Sequence, residues 1–441
     1  MAALDRRLLF LYALPAFALA MPTIPVYVFL PTFYADTLGL GLTATGAALL
    51  LARLFDVITD PTVGYLSDRW RTPLGRRKPW IAVGSVIAAI ALVRLFQPPE
   101  AVDAGYLVLW AILLYVGWTL VAVPYTAWGA EISGDYHERS RITGSREAAM
   151  ILGILAAGSV PALVAGLGGD EAMGLAGVAW LAVAVGAPAM VMMLWRVPEA
   201  PAAATPVSRP HRDGWRAAVE NRPFVRLLTA WFVNGLANGL PAVLFPLYLQ
   251  HALGAGTVAS GVLIFVYFVS GVLAIPLWLR LSRKVGKHRA WCAAMAMACC
   301  AFVWVPFLEH GQIGLFFIIC VFTGMALGAD LALPPAMQAD VIDLDRLRTG
   351  RQRAGLFFAL WSMGYKLALA AAVGLAFPAL DLVGFDAGGA NTAGAILALT
   401  LFYAAVPTGL KVVAIALVWH HPITARRQAI IQRRLATRIP V

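Results

Sequence analysis

Apolar residues run along this chain in stretches of about 20, each closed by a short polar or glycine-bearing connection, and that length carries a helix across a hydrocarbon layer. Twelve such stretches are read: 8–34, 42–66, 79–96, 104–132, 144–167, 173–195, 223–250, 256–282, 290–309, 312–338, 354–380 and 391–420. The runs are continuous rather than alternating, which excludes the period-two pattern of a membrane barrel. The expected architecture is an all-α membrane protein with twelve transmembrane helices in two bundles of six.

Charge placement agrees with that count. The connections after helices 1, 3, 5, 7, 9 and 11 hold no Lys or Arg. The others hold Arg69, Arg71, Arg76, Arg77 and Lys78, then Arg139 and Arg141, Arg209 to Arg222, Arg283 to Arg289, and Arg346 to Arg353. Basic loops stay on the cytoplasmic side, so both termini are expected in the cytoplasm and the chain in the plasma (inner) membrane. Helix 1 follows Arg6 and Arg7 and is too long for the apolar core of a cleaved leader, so it is expected to remain as a span.

Composition then excludes whole classes. The chain is 61% hydrophobic and 13% charged, about half the charge of a soluble domain. A soluble enzyme, a nucleic-acid binder and a disulfide scaffold are ruled out. The net charge of +11 belongs to the inside loops and to the tail 421–441 (Arg426, Arg427, Arg433, Arg434, Arg438), where anionic lipid is the natural partner. Cys292, Cys299, Cys300 and Cys320 form no CxxC, and the seven histidines show no metal-ligand spacing. Neither a metal nor a cofactor is expected, and no enzymatic activity.

The connection 196–222, rich in Pro, Ala and Arg, divides the chain into bundles at 1–195 and 223–420. Each half has a basic turn between its second and third helices that begins at a glycine, Gly75 before Arg76-Arg77-Lys78 and Gly286 before Lys287-His288-Arg289. The two glycines lie about 211 positions apart, an internal repeat. Two six-helix halves resemble the major facilitator superfamily, in which a single chain forms a complete path.

Ionisable groups inside spans are costly and mark function. Helix 2 has Arg53, Asp56 and Asp60 at i, i+3 and i+7, on one helical face, with Thr59 among them. Asp56 sits about 15 Å from the cytoplasmic end, too deep for a short carboxylate to reach headgroups. Two carboxylates, a hydroxyl and a nearby Arg can trade a proton or a small hard cation; the alternative is a structural Arg–Asp pair. Lys366 in helix 11 calls for a solute or an acid partner, Asp330 in helix 10 for a cationic one. Arg146 in helix 5 is placed either at the solute or at the interface, and Lys411 is read as snorkelling or packing. Asn234 and Asn238 (i, i+4) either bond a polar ligand or hold helices together. Tyr27, Tyr125, Trp128 and Trp361 are expected along the path. Pro15, Pro22, Pro25 and Pro31 predict a bent first helix lining a cavity.

The segment Ala52-Arg53-Leu54-Phe55-Asp56-Val57-Ile58-Thr59-Asp60-Pro61, with Gly64 and Arg76-Arg77-Lys78-Pro79-Trp80, resembles the glycoside–pentoside–hexuronide:cation symporter family. So do Gly117-Trp118-Thr119 with Asp135 to Arg141, and Ala339-Asp340-Val341-Ile342-Asp343 followed by Lys366. The resemblance implies cation-coupled symport of a sugar or glycoside-like solute by alternating access. It implies a cation site at Asp56, Thr59, Asp60 and Thr119, with Arg53 and Lys366 as charge partners. Three acids of the family pattern are absent, with Ala20, Ala122 and Ala354 in their places, which weakens a galactoside-like clasp and favours a proton over sodium. Arg146 and Lys366 suit an anionic sugar. Other readings are a lysolipid or organic-anion symporter on the same fold, and a non-transporting membrane scaffold.

Overall fold

The computed structural model describes residues 5–23, 25–40, 42–70, 72–99, 101–199, 218–385 and 391–437; the side chains of Tyr27 and a few other helical residues also lie outside the described set. Most of the 196–222 connection therefore falls outside it. Among the described residues the regular structure is helical, with one isolated bridge between Thr72 and Gly75. In chain order the helices are α1 (Arg6–Ala20), α2 (Leu42–Arg69), α3 (Lys78–Phe96), α4 (Ala104–Ile132), α5 (Tyr136–Gly166) and α6 (Glu171–Arg196). They continue with α7 (Arg222–Leu247), α8 (Thr257–Val285), α9 (Lys287–Phe302), α10 (Ile313–Thr349), α11 (Ala354–Leu382), α12 (Ala393–Val418) and α13 (Ala425–Thr437).

Among the described residues, nine helices are long and apolar enough to cross a bilayer by length and composition. The first, second and fifth expected spans are helical but are not among the nine; the second and fifth run over residues outside the described set. α1 stops at Ala20, and the prolines beyond it throw the chain into π-helical turns at Pro25–Phe29 and Phe33–Thr37. Proline removes an amide donor and crowds the preceding turn, so the regular ladder cannot continue. α2 carries Arg53, Asp56, Asp60, Asp68 and Arg69, and α5 starts at Tyr136 rather than near 144, taking in Glu138, Arg139, Arg141, Arg146 and Glu147. α10 also overruns its expected end at 338. Asp340, Asp343 and Asp345 are buried against protein along its last turns, so their charge does not end the helix.

Sequence-local caps place the helix starts. Asp103, Asp170, Asn221 and Thr392 each accept a bond from an amide of the first turn of α4, α6, α7 and α12, satisfying donors that a helix N-terminus leaves open. Gly286 separates α8 from α9 at φ 91°, a conformation that favours glycine.

The chain packs as two compact units. One comprises Met1–Arg209, Arg346–Leu360 and Thr437–Val441; the other comprises Pro210–Asp345 and Trp361–Ala436. In the first, α4 packs on α2 and α3, and α1 on α5 and α6. The α3–α4 contact is backbone-close: a Cβ on Gly117 would stand 2.6 Å from the Ala88 amide nitrogen, the small-residue contact typical of membrane helices. In the second, α12 packs on α7 and α9, around Leu240, Leu244, Tyr248, Phe316 and Tyr403. Val83, Val86 and Ile90 of α3 and Leu273 and Leu277 of α8 face outward, as lipid-facing surfaces do. Within the tail, α13 buries Gln428, Ile431 and Leu435, and Gln428 Nε2 donates to Asp343 Oδ2 at 2.6 Å.

Candidate cation and solute site

Asp56 and Asp60 stand one turn apart on α2 and turn into the first unit, 6% and 1% exposed. Across from them α4 presents Thr119, 3% exposed. Its Oγ1 lies 3.0 Å from Asp56 Oδ1 and 2.7 Å from Asp60 Oδ1. A hydroxyl has one hydrogen and donates to one carboxylate at a time. The second short contact is satisfied when the other carboxyl carries a proton and donates to Oγ1, or when a cation is shared. Thr59 contributes less directly, because its hydroxyl donates to the Asp56 carbonyl at 2.9 Å, leaving only the lone pairs of its oxygen. Arg53 is exposed, its guanidinium carbon 5.6 Å from the Tyr115 ring centre.

Arg146 is buried and ion-paired with its neighbour Glu147. Tyr12 donates to the Tyr125 carbonyl at 3.0 Å, Tyr125 donates back to the Tyr12 carbonyl, and the rings lie 4.8 Å apart. This clasp joins α1 to α4, and Arg146 is enclosed in the same unit. Trp128 is fully enclosed; its indole donates to the Pro198 carbonyl at 3.1 Å and Lys78 lies over its ring. It offers no face to a solute in this conformation. The expected role of Tyr27 concerns a side chain outside the described set.

The second unit holds the remaining expected residues in two groups. Trp361 stacks on Trp231 at 4.6 Å, Trp231 stacks on Tyr365, and Lys366 is half-buried in the same turn of α11. The other group converges on Lys411, which is 2% exposed and so does not snorkel. Its ammonium donates to Asn234 Oδ1 at 3.0 Å and Asn238 Oδ1 at 2.8 Å, with Asp330 Oδ2 at 3.8 Å. Asp330 is thus partnered by Lys411, helped by Trp291, whose Nε1 donates to Oδ1 at 2.6 Å.

The family model described as MFS/sugar transport protein matches residues 11–425. The chain belongs to that family. It is similar to the sodium-dependent lysophosphatidylcholine symporter 1-A of Danio rerio, 24% identical over 91% of this chain and 82% of that one. It is 22% identical to the glucuronide carrier protein homolog of Escherichia coli K12, over 93% and 90%. Among solved structures, the E. coli fucose:proton symporter shares the fold at a TM-score of 0.69, with 12% identity over 95% and 98% of the two chains. This family member is therefore an integral membrane transport protein and not an enzyme.

One part of the transporter was not foreseen from the sequence, where Arg76 and Arg77 counted as inside-loop charge and as part of the repeat and family motifs, with no ion-pair partners assigned. Arg77 is fully buried; its Nη2 bonds Asp68 at 2.5 Å and Glu131 at 3.0 Å, and its Nη1 bonds Ser67 at 3.0 Å. Burial alone would pull its pKa down, but the Glu131 and Asp68 carboxylates outweigh that and push it up. Asp68 also accepts from the amides of Gly355 and Leu356 at 2.9 and 3.0 Å, and Glu199 accepts from the amides of Arg76 and Arg77 at 2.7 Å each. This network ties the ends of α2 and α4 to the start of α11, all in the first unit. The available signal was the number of acids (Asp68, Glu131, Glu199) near span ends that the inside loops did not need.

Proposed function

We propose that the protein is a cation-coupled symporter of a sugar or glycoside-like solute, working by alternating access as a single chain in the plasma (inner) membrane with both termini in the cytoplasm. The coupling ion, a proton or sodium, rides on Asp56 and Asp60 with Thr119 between them. The observation that carries this is the single hydroxyl flanked by two buried carboxylates on a membrane helix. Loading the ion neutralises the pair and lets the loaded carrier change orientation, since uncompensated charge in a dry interior resists movement.

Arg146 and Lys366 are the cations available to an anionic group such as that of a hexuronide, and Trp361 supplies a ring face. The family description and the glucuronide carrier homologue support this solute class. A lysolipid is the second reading. It is favoured by a mostly apolar cavity of about 310 Å³ in the first unit, lined by Ala18, Pro22, Val86, Leu92, Trp118 and Met190 among others, and by the lysophosphatidylcholine symporter among the relatives. Uptake into proteoliposomes of a panel of sugars, hexuronides and lysolipids, under proton and sodium gradients imposed separately, decides both solute and ion. Accumulation of a sugar or hexuronide under one gradient supports the proposal. Uptake of lysolipid alone replaces the solute, and no gradient-driven uptake of any member removes the symport reading.

A further inference from the structure

The repeat that begins at Gly75 and Gly286 has a counterpart at the cation site. Both glycines adopt left-handed backbone, φ 114° and 91°, before the same basic turn. The same offset carries Thr119 of α4 onto Asp330 of α10, and Asp56 of α2 onto Tyr267 of α8. The place where the first unit puts a hydroxyl between carboxylates is therefore itself a carboxylate in the second.

We propose that Asn234, Asn238 and Asp330 form a monovalent-cation site inside the second unit, filled by the Lys411 ammonium as a tethered cation. The ammonium meets three oxygen atoms: Asn238 Oδ1 at 2.8 Å, Asn234 Oδ1 at 3.0 Å and Asp330 Oδ2 at 3.8 Å. Oxygen donors with one formal negative charge are what a hard monovalent cation takes. The Asn234 amide is oriented for the cation rather than for itself, because its buried Nδ2 has no hydrogen-bond partner while its oxygen does. Asp330 is held from behind by Trp291 Nε1 at 2.6 Å and Asn238 Nδ2 at 2.8 Å, so its position does not depend on Lys411 alone. A cavity of about 260 Å³ reaches Asn238, Asp330 and Lys411, with Tyr267, Thr323 and Tyr403 on its wall. It has room for water around an ion once the lysine stem is removed.

A tethered cation cannot dissociate. The second unit is thereby kept charge-balanced through the cycle, and ion exchange is confined to Asp56 and Asp60. This consequence rests on the symport reading; the site itself does not.

The test uses the full chain in nanodiscs with Asp56→Asn and Asp60→Asn in place, so that the proposed first-unit cation site does not contribute to the salt response. In this background, Lys411→Ala is predicted to lower the thermal midpoint, and sodium or methylammonium chloride at about 100 mM to restore about 5 °C relative to choline chloride. With Lys411 intact, the three salts are predicted to act alike. Adding Asp330→Asn to Lys411→Ala removes the salt-specific response. Recovery of Lys411→Ala only from membranes solubilised in sodium or methylammonium carries the same meaning. Equal midpoints in all three salts overturn the proposal, as does a response that survives Asp330→Asn, or a Lys411→Ala protein that cannot be recovered in any of the salts.

Discussion

Thr119 has one hydroxyl hydrogen and two carboxylate neighbours, and in the proposed site the coupling ion completes the contacts among them. Thr119→Val removes the oxygen and keeps the shape. It is predicted to raise the ion concentration for half-maximal uptake by about tenfold, the loss of one good ligand or hydrogen bond to a charged group, while Thr119→Ser stays near the parent. Titrating uptake against ion concentration checks this. Asp68→Asn leaves Arg77 buried with part of its compensation gone; the expected cost is about 3 kcal/mol, read as a lower unfolding midpoint in detergent. Asp56 and Asp60 were legible in the sequence because carboxylates deep in an apolar run stand out against their cost. Thr119 was legible only through the family resemblance, since a hydroxyl in a span is ordinary. The partner of Asp330 was not legible: Lys411 lies in the last span, and nothing local distinguishes a snorkelling lysine from one that turns inward to two asparagines.

At the scale of elements, long apolar runs made the spans readable, and prolines made the break after α1 readable. The starts and ends that differed, at α5 and α10, did so because charged turns were assumed to lie in water and are instead paired or packed. The α3–α4 contact is a direct case of packing by absence of a side chain. Gly117→Ala pushes its Cβ into the Ala88 backbone, and a destabilisation of about 1–3 kcal/mol is expected from such overpacking, visible in a thermal melt. Beyond α12, His421 is buried, and its pKa is pushed down to about 3 by loss of water, with His288, Arg226 and Lys287 adding repulsion. Unfolded, its imidazole takes a proton near 6.5. Between those values the unfolded chain binds a proton that the folded chain refuses, so stability present above pH 6.5 is lost as the pH falls toward 3. His421→Gln is predicted to flatten that slope in melts recorded across the range.

For the whole molecule, composition alone excluded a water-soluble life, and the alternation of basic loops gave the expected count and orientation. Neither observation identifies a solute. In the proposed reading, solute choice rests on a few side chains, Arg146, Lys366 and Trp361 among them, whose burial and neighbours are properties of the folded chain. Coupling, in the same reading, is concentrated in one place, Asp56 and Asp60. The most direct measurement is a paired assay on Asp56→Asn/Asp60→Asn protein in proteoliposomes, reading gradient-driven accumulation and solute exchange across the same membranes. Ion coupling at these carboxylates predicts that accumulation above equilibrium disappears while exchange continues. Accumulation at the level of the unaltered protein would contradict it.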